Sequence, residues 1–189
     1  MQRPPAVHRF TNEDYHAMGE AGILPHDLRV ELIDGQIVEM SPLGRRHAAA
    51  VDRLNRMFVL AFRESAIVRV QGPLKLPPFS EPQPDLLVLA ERTDYYAAGG
   101  PFAGDTLLAV EVADSSLRFD MKVKAPLYAR EGIPELWIVD LTRDRLLVYR
   151  FGESASQPQE VRSGLLAPVR APAYAFDVAE ILSTARESS

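Results

Sequence analysis

The residues best suited to chemistry in this chain are two carboxylates and a lysine, in the order Asp85, Glu111 and Lys124. Two carboxylates on neighbouring strands make a hard oxygen site suited to Mg²⁺ or Mn²⁺. A lysine beside a metal-bound water can position that water or stabilise charge on a phosphate oxygen. The ordered set therefore indicates metal-dependent phosphodiester hydrolysis.

Glu111 gives the sharpest single signal, because it lies inside the otherwise apolar strand-like stretch Leu107–Val112. Burying an unpaired carboxylate is costly. Such a group needs a cation, a cage of hydrogen bonds or a raised pKa. The alternative is that Glu111 lies at the strand end, in contact with water or a backbone amide.

Asp85 follows Pro84 and precedes the apolar run Leu86–Leu89. Proline cannot donate to a ladder of hydrogen bonds, so it marks where a strand begins and leaves Asp85 at the strand mouth. Aspartate after proline is also common in turns. Asp85 gains weight because a second apolar strand carries an acid too.

Lys122 and Lys124 lie on one predicted helix, where a rotation of about 100° per residue directs them about 200° apart. Only one of them can face the acids. Asp120, Lys124 and Tyr128 follow at i, i+4 and i+8 and form a polar stripe. An ordinary solvated helix face explains that stripe equally well.

Three further polar residues have two readings each. Glu31 alternates with apolar neighbours and is either a third acid or the polar face of a hairpin. His47 opens a long helix, where a histidine is more often a cap or a surface group than a ligand. Gln71 ends a strand, where edge hydrogen bonding is the simpler explanation.

Hydrophobic periodicity predicts the elements that must position these residues. The expected helices are Thr11–Met18, Arg46–Glu64 and Arg118–Arg130, and the expected strands are Arg29–Ile33, Gln36–Met40, Ile67–Val70, Asp85–Ala90, Leu107–Val112, Glu135–Asp140 and Arg145–Phe151. Gly152–Pro172 is expected to be irregular and Phe176–Leu182 to form a last helical turn or two. The mixture indicates an α/β fold (α+β mixed), with one mixed sheet covered by helices.

Composition limits the classes of protein that fit. The chain has 189 residues, is 47% hydrophobic and contains no cysteine. We expect one domain over 1–189, with a core of about 10–151 and a C-terminal extension, 152–189, packed on it. The lack of cysteine excludes disulfides and thiolate zinc sites and fits a cytoplasmic location. No apolar run approaches the roughly 18 residues of a membrane helix, and the first ten residues lack the apolar segment of a secretory signal.

The net charge of −5 counts against a protein that coats nucleic acid, since such proteins carry a broad basic face. It does not count against an enzyme whose acids hold a cation. A non-catalytic module that binds protein or nucleic acid is the alternative. A serine hydrolase does not fit, because all four histidines lie in the first quarter and no Gly-x-Ser-x-Gly elbow is present.

An ordered series of motifs resembles the PD-(D/E)XK nuclease superfamily and, more closely, the Uma-two family of restriction endonucleases. The series spans about Phe10 to Asp140 and comprises 31–35 (ELIDG), 40–42 (MSP), 81–85 (EPQPD), 110–116 (VEVADSS), 124–129 (KAPLYA) and 132–140 (GIPELWIVD). The ordered series is specific, although no single piece is.

The resemblance implies a restriction-endonuclease-like mixed sheet flanked by helices. It also implies a Mg²⁺ or Mn²⁺ ion held by Asp85, Glu111 and the backbone carbonyl of Val112, with Glu31 as an accessory acid. Ala113 occupies the position where the superfamily has its lysine. Uma-like proteins supply the lysine from the next helix, which indicates Lys124, with Lys122 as the alternative.

The same resemblance implies DNA as the substrate. A homodimer is a reasonable expectation for an enzyme that cleaves two strands.

Overall fold

The computed structural model describes residues 6–25, 27–152 and 157–183. The helices are α1 (Asn12–Glu20), α2 (Arg45–Phe62), α3 (Leu117–Phe119), α4 (Ala125–Arg130) and α5 (Val178–Ser183), with a 3₁₀ turn at Ala103–Asp105 and a π-helical segment at Asp120–Lys124. The strands are β1 (Val30–Ile33), β2 (Gln36–Glu39), β3 (Ala66–Val70), β4 (Leu86–Ala90), β5 (Thr106–Ala113), β6 (Glu135–Asp140), β7 (Arg145–Arg150), β8 (Gln159–Val161), β9 (Leu165–Leu166) and β10 (Phe176–Asp177).

A six-stranded mixed sheet, ordered β3-β4-β5-β6-β7-β8, forms the centre of the fold. Neighbouring strands are antiparallel except for β5 and β6, which are parallel. A parallel pair requires a crossover connection, and the helical run 117–130 provides it. The expected fold class, a mixed sheet flanked by helices, is confirmed.

Helices cover both faces of this sheet. α2 and α5 pack on one face of the sheet, in the cluster that contains Val110 and Val112 of β5. The helical run 117–130 packs on the other face, against Ala109 and Ala113. Because side chains alternate along a strand, Glu111 belongs to the second face, the one that carries Lys124. The strand period therefore brings the acid and the lysine to the same side of the sheet.

The predicted helix Arg118–Arg130 is continuous as a helical run, but it contains the π-helical segment at Asp120–Lys124. Pro126 gives the physical reason. A proline inside a helix has no N–H to donate, and its ring clashes with the carbonyl four residues earlier. A wider π turn just before Pro126 accommodates both effects.

The expectation that Gly152–Pro172 is irregular is wrong for two short strands. β8 is the sixth strand of the main sheet and pairs with β7, while β9 pairs with β10. β8 is only Gln-Glu-Val, so it shows no apolar periodicity, and the free edge of β7 is what selects it. Residues 184–189 of the extension lie outside the described part of the chain.

Helix α1 begins with a capped first turn. Thr11 caps α1 and forms a capping box with Asp14.

Among the described residues, no helix has the length and apolar character needed to cross a bilayer.

Candidate functional site

A cavity of about 280 Å³ lies where β1, β5, the first turn of α2 and the π-helical segment meet. Six of the residues singled out from the sequence line it, namely Glu31, His47, Asp85, Glu111, Asp120 and Lys124. Gln71 does not line the cavity but bonds to a residue that does. Lys122 is exposed and does not line it.

Asp85 is held by three hydrogen-bonding partners just before β4 begins. Its Oδ2 accepts the Val112 backbone N–H at 2.8 Å and lies 3.0 Å from His47 Nε2. Its Oδ1 accepts from Gln71 Nε2 at 3.3 Å. Burial by itself would raise the pKa of Asp85, but His47, the Val112 amide and the charge of Lys124 together lower it. Asp85 is therefore an ionised carboxylate with a fixed orientation.

Glu31, Glu111 and Lys124 form a buried ion-pair cluster. Lys124 Nζ lies 3.1 Å from Glu31 Oε1 and 3.1 Å from Glu111 Oε1, and none of the three side chains is more than 4% exposed. Burial would lower the pKa of Lys124, but the surrounding carboxylates outweigh it and raise that pKa, so the ammonium stays charged. Burial raises the pKa of Glu111 well above its ordinary value, and Lys124 opposes that rise.

The reading of the polar stripe as a solvated helix face is wrong. Asp120 and Lys124 are each 2% exposed, and Tyr128 is fully buried. Tyr128 donates its hydroxyl to Glu111 Oε1 at 2.8 Å, and Ser116 Oγ donates to Asp120 Oδ2 at 2.6 Å. Burial raises the pKa of Asp120 to about 6, against the lowering effect of Lys124 and Ser116.

The π-helical segment explains how three residues at four-residue spacing all face inward. In an α-helix, each four-residue step overshoots a full turn by about 40°. A π turn holds more than four residues, so the step from Asp120 to Lys124 falls short of a full turn. The next step, to Tyr128, is α-helical and overshoots. The two deviations partly cancel, and Asp120 and Tyr128 keep a common direction.

The other open alternatives are also decided by geometry. Glu31 is buried beside Lys124 and is not on the polar face of a hairpin. His47 lies in the first turn of α2, but it is buried against Asp85, which makes it neither a cap nor a surface group. The carboxylate of Glu111 meets Lys124 and Tyr128, and no backbone amide of the described residues caps it. Gln71 bonds to Asp85 through both its backbone N–H and its side chain.

Sequence reasoning did not single out Tyr128 or Ser116 as site residues. The available signal for Tyr128 is its place in the polar stripe, four residues after Lys124. The available signal for Ser116 is its place four residues before Asp120, which extends the stripe toward the N-terminus. Both supply hydroxyl donors to buried carboxylates.

The donor set fits a Mg²⁺ ion better than it fits a metal with many protein ligands. The described residues contain no cluster of three or more histidine, cysteine or acidic side chains able to hold a metal. Mg²⁺ needs only one or two carboxylates, because it keeps several waters and binds substrate phosphate. Glu111 Oε2 accepts no hydrogen bond from the described residues and is not sealed from solvent.

The backbone of Val112 is consistent with this fit. The N–H and C=O of one strand residue point to the same side. Since the Val112 N–H reaches Asp85, its carbonyl lies on the Asp85 side of β5 as well. Asp85 and Glu111 thus bring carboxylate oxygens to the cavity, and the Val112 carbonyl lies on the same side of β5 as Asp85.

A family model described as "Putative restriction endonuclease" matches residues 12–179, most of the chain. The chain belongs to this Uma-two family. The match confirms the resemblance drawn from the ordered motifs. A search of the curated proteins found no match.

The solved structures support the same fold. One that resembles this Uma-two chain is described as a putative nuclease belonging to DUF820 from Anabaena variabilis. The two share 15% sequence identity and superpose with a TM-score of 0.67 over 89% of this chain and 98% of the other. At that identity the likeness concerns the fold.

Proposed function

We propose that this protein is a Mg²⁺- or Mn²⁺-dependent endonuclease that hydrolyses phosphodiester bonds in DNA through a PD-(D/E)XK-type site. The observation that carries the proposal is the contact of Lys124 Nζ with both Glu111 and Glu31, 3.1 Å from each, at a cavity that Asp85 also lines. Membership of the Uma-two family supports a nuclease function.

Asp85, Glu111 and the Val112 carbonyl would hold the cation. When bound, a divalent cation lowers the pKa of a coordinated water and polarises the phosphate. His47, Gln71 and the Val112 amide keep the carboxylate of Asp85 ionised and oriented. These contacts place one permanent negative charge beside the cavity.

Lys124 supplies a buried positive charge to the site. Its ammonium stays protonated among the carboxylates, so its role is to orient the attacking water or to stabilise charge on a phosphate oxygen. Glu31 also holds the ammonium, and its own Oε2 is buried without a hydrogen-bond partner among the described residues. Glu31 therefore serves as the accessory acid of the proposal.

The proposed setting is cytoplasmic, with DNA as the substrate and a second copy of the chain as the partner. The net charge of −5 means that attraction to DNA must come from the cation and from local basic groups, because the molecule as a whole repels it.

The test is cleavage of supercoiled and linear DNA by the purified protein with Mg²⁺, with Mn²⁺ and with chelator. We expect cleavage only with the divalent ions, and its loss in Asp85→Ala and Glu111→Ala. Asp52→Ala, which removes an exposed aspartate of α2, is the matched control and should cleave like the parent.

Calorimetric titration with Mn²⁺ separates the proposal from a non-catalytic binding module. Binding by the parent and its loss in Asp85→Ala agree with the nuclease. The alternative is supported if the parent binds no Mn²⁺ and cleaves no DNA, and if Asp85→Ala behaves as the parent does. The protein would then be a non-catalytic binding module that retains the fold.

A further inference from the structure

Both contacts of the Glu111 carboxylate go to the same oxygen atom. Oε1 accepts the Tyr128 hydroxyl at 2.8 Å and lies 3.1 Å from Lys124 Nζ. Oε2 accepts no hydrogen bond from the described residues and, unlike Oε2 of Glu31, is not a sealed atom. Glu111 lines the cavity, so Oε2 is the oxygen it offers there.

Lys124 by itself does not fix that orientation. An ammonium is a point charge on a flexible stem with three rotatable donors, and this one is shared with Glu31. A carboxylate held only by Lys124 can rotate about the bond to its carboxyl carbon, so the direction of its second oxygen is not fixed. A second donor that reaches Oε1 from the next turn of the helical run removes this freedom.

Tyr128 is a rigid second donor. Its ring is fully buried in an apolar cluster with Leu127 and Ile133, so packing fixes the position of its hydroxyl. A buried tyrosine hydroxyl requires a hydrogen-bond partner, and Glu111 is the partner here.

We propose that Tyr128 is a positioning residue that, together with Lys124, fixes Glu111 so that Oε2 faces the cation site. The inference rests on the proposed function, because it assigns a purpose to the orientation only if a cation is bound. Groups that orient metal-ligating side chains commonly alter metal affinity about 10- to 100-fold when they are removed.

The experiment is the Tyr128→Phe variant, which removes the hydroxyl and keeps the ring. Calorimetric titration of the full chain with Mn²⁺ should show a dissociation constant at least about tenfold larger than that of the parent. Cleavage of DNA by the variant should recover as the Mn²⁺ concentration is raised, with the KM for DNA unchanged. A role limited to packing would lower stability and leave the Mn²⁺ affinity unchanged.

Tyr149→Phe is the matched control. Tyr149 is 5% exposed and belongs to the same apolar cluster, but its hydroxyl bonds to no carboxylate of the described residues. We expect this variant to bind Mn²⁺ and to cleave DNA as the parent does.

The outcomes separate this inference from the proposed function. If the parent binds Mn²⁺ and Tyr128→Phe binds it equally well, the inference is wrong and the nuclease proposal stands. If the parent binds no Mn²⁺, the nuclease proposal fails, and a crystal structure of metal-free Tyr128→Phe judges the positioning role. In that structure, a Glu111 carboxylate plane unchanged from that of the parent would overturn the positioning role, and a plane turned away from the parental orientation would support it.

Discussion

At the residue scale, the site balances the positive charge of the buried Lys124 ammonium against the negative charges of the surrounding acids. Lys124 is 2% exposed, and an ammonium in that position is tolerable only because Glu31 and Glu111 both contact it. Lys122, two residues away, is exposed and contacts neither acid among the described residues. The two lysines therefore form a natural pair of test and control.

Lys124→Met should reduce the single-turnover rate of DNA cleavage at saturating Mn²⁺ by about 10²- to 10³-fold, since removal of one group that stabilises transition-state charge has this effect. Lys122→Met should cleave at the parental rate. The reverse ranking of the two variants would show that the lysine of the site has been assigned wrongly.

Asp120 gives the metal-free protein a pH dependence of stability. Its folded-state pKa is raised from an ordinary 3.8 to about 6, so the folded protein retains a proton that the unfolded chain releases between those values. The resulting stability is fully present below about pH 4 and is lost as the pH rises through 6. A shift of this size corresponds to roughly 3 kcal/mol at most.

Asp120→Asn removes this ionisation. In chelator, the free energy of unfolding of the parent should fall relative to that of the variant between pH 4 and pH 7, as measured by urea denaturation at each pH. Parallel curves for the two proteins over that range would contradict the raised pKa of Asp120.

At the element scale, one buried carboxylate at the start of β6 helps to hold the C-terminal segment against the sheet. Glu135 is fully buried and accepts from Trp137 Nε1 at 2.8 Å and from the backbone N–H of Val169 at 2.6 Å. Arg150 Nε lies 3.4 Å from the same side chain. Both oxygens are used as acceptors, so the position of the segment carrying Val169 depends on a side chain at 135 that accepts through both atoms.

Glu135→Gln should lower the free energy of unfolding by about 1.5 to 3 kcal/mol, because the amide NH₂ must face one of these donors. Urea denaturation measures the effect. Glu160→Gln is the control, since Glu160 is an exposed partner of Arg145 and Arg162, and its loss should change stability little. Equal effects of the two substitutions would contradict the fastening role.

At the scale of the whole molecule, the proposed nuclease has one candidate site per chain, and that number sets how it can cut DNA. A single site hydrolyses one strand, whereas a symmetric pair of chains presents two sites to the two strands. Because the net charge is −5, a lone chain has little general attraction for DNA with which to remain bound between two successive cuts.

We predict a homodimer by sedimentation velocity at micromolar concentration, and conversion of supercoiled plasmid directly to linear product. A monomer should accumulate nicked circles before any linear DNA forms. Sedimentation as a monomer together with persistent nicked circles would reject the dimer and leave the proposed chemistry of the site intact.

The sequence by itself determined the strands β1 to β7 and the two central acids. Glu111 could be found because a carboxylate in an apolar strand needs compensation, and Asp85 because Pro84 marks where β4 begins. These are local properties, readable over a few residues. The same periodicity predicted the mixed sheet and the helices on its faces. It failed for β8, β9 and β10, which are two or three residues long and carry no pattern, and Phe176–Asp177 is therefore a strand where a helical turn was expected.

The tertiary structure decided which groups meet these acids. Glu31 and Lys124 are 93 residues apart in the chain, and no spacing rule pairs them. The π-helical segment before Pro126 sets the phase that directs Asp120, Lys124 and Tyr128 inward and leaves Lys122 in solvent. Such choices depend on the free energy of burying charges together, which exists only once distant elements have packed.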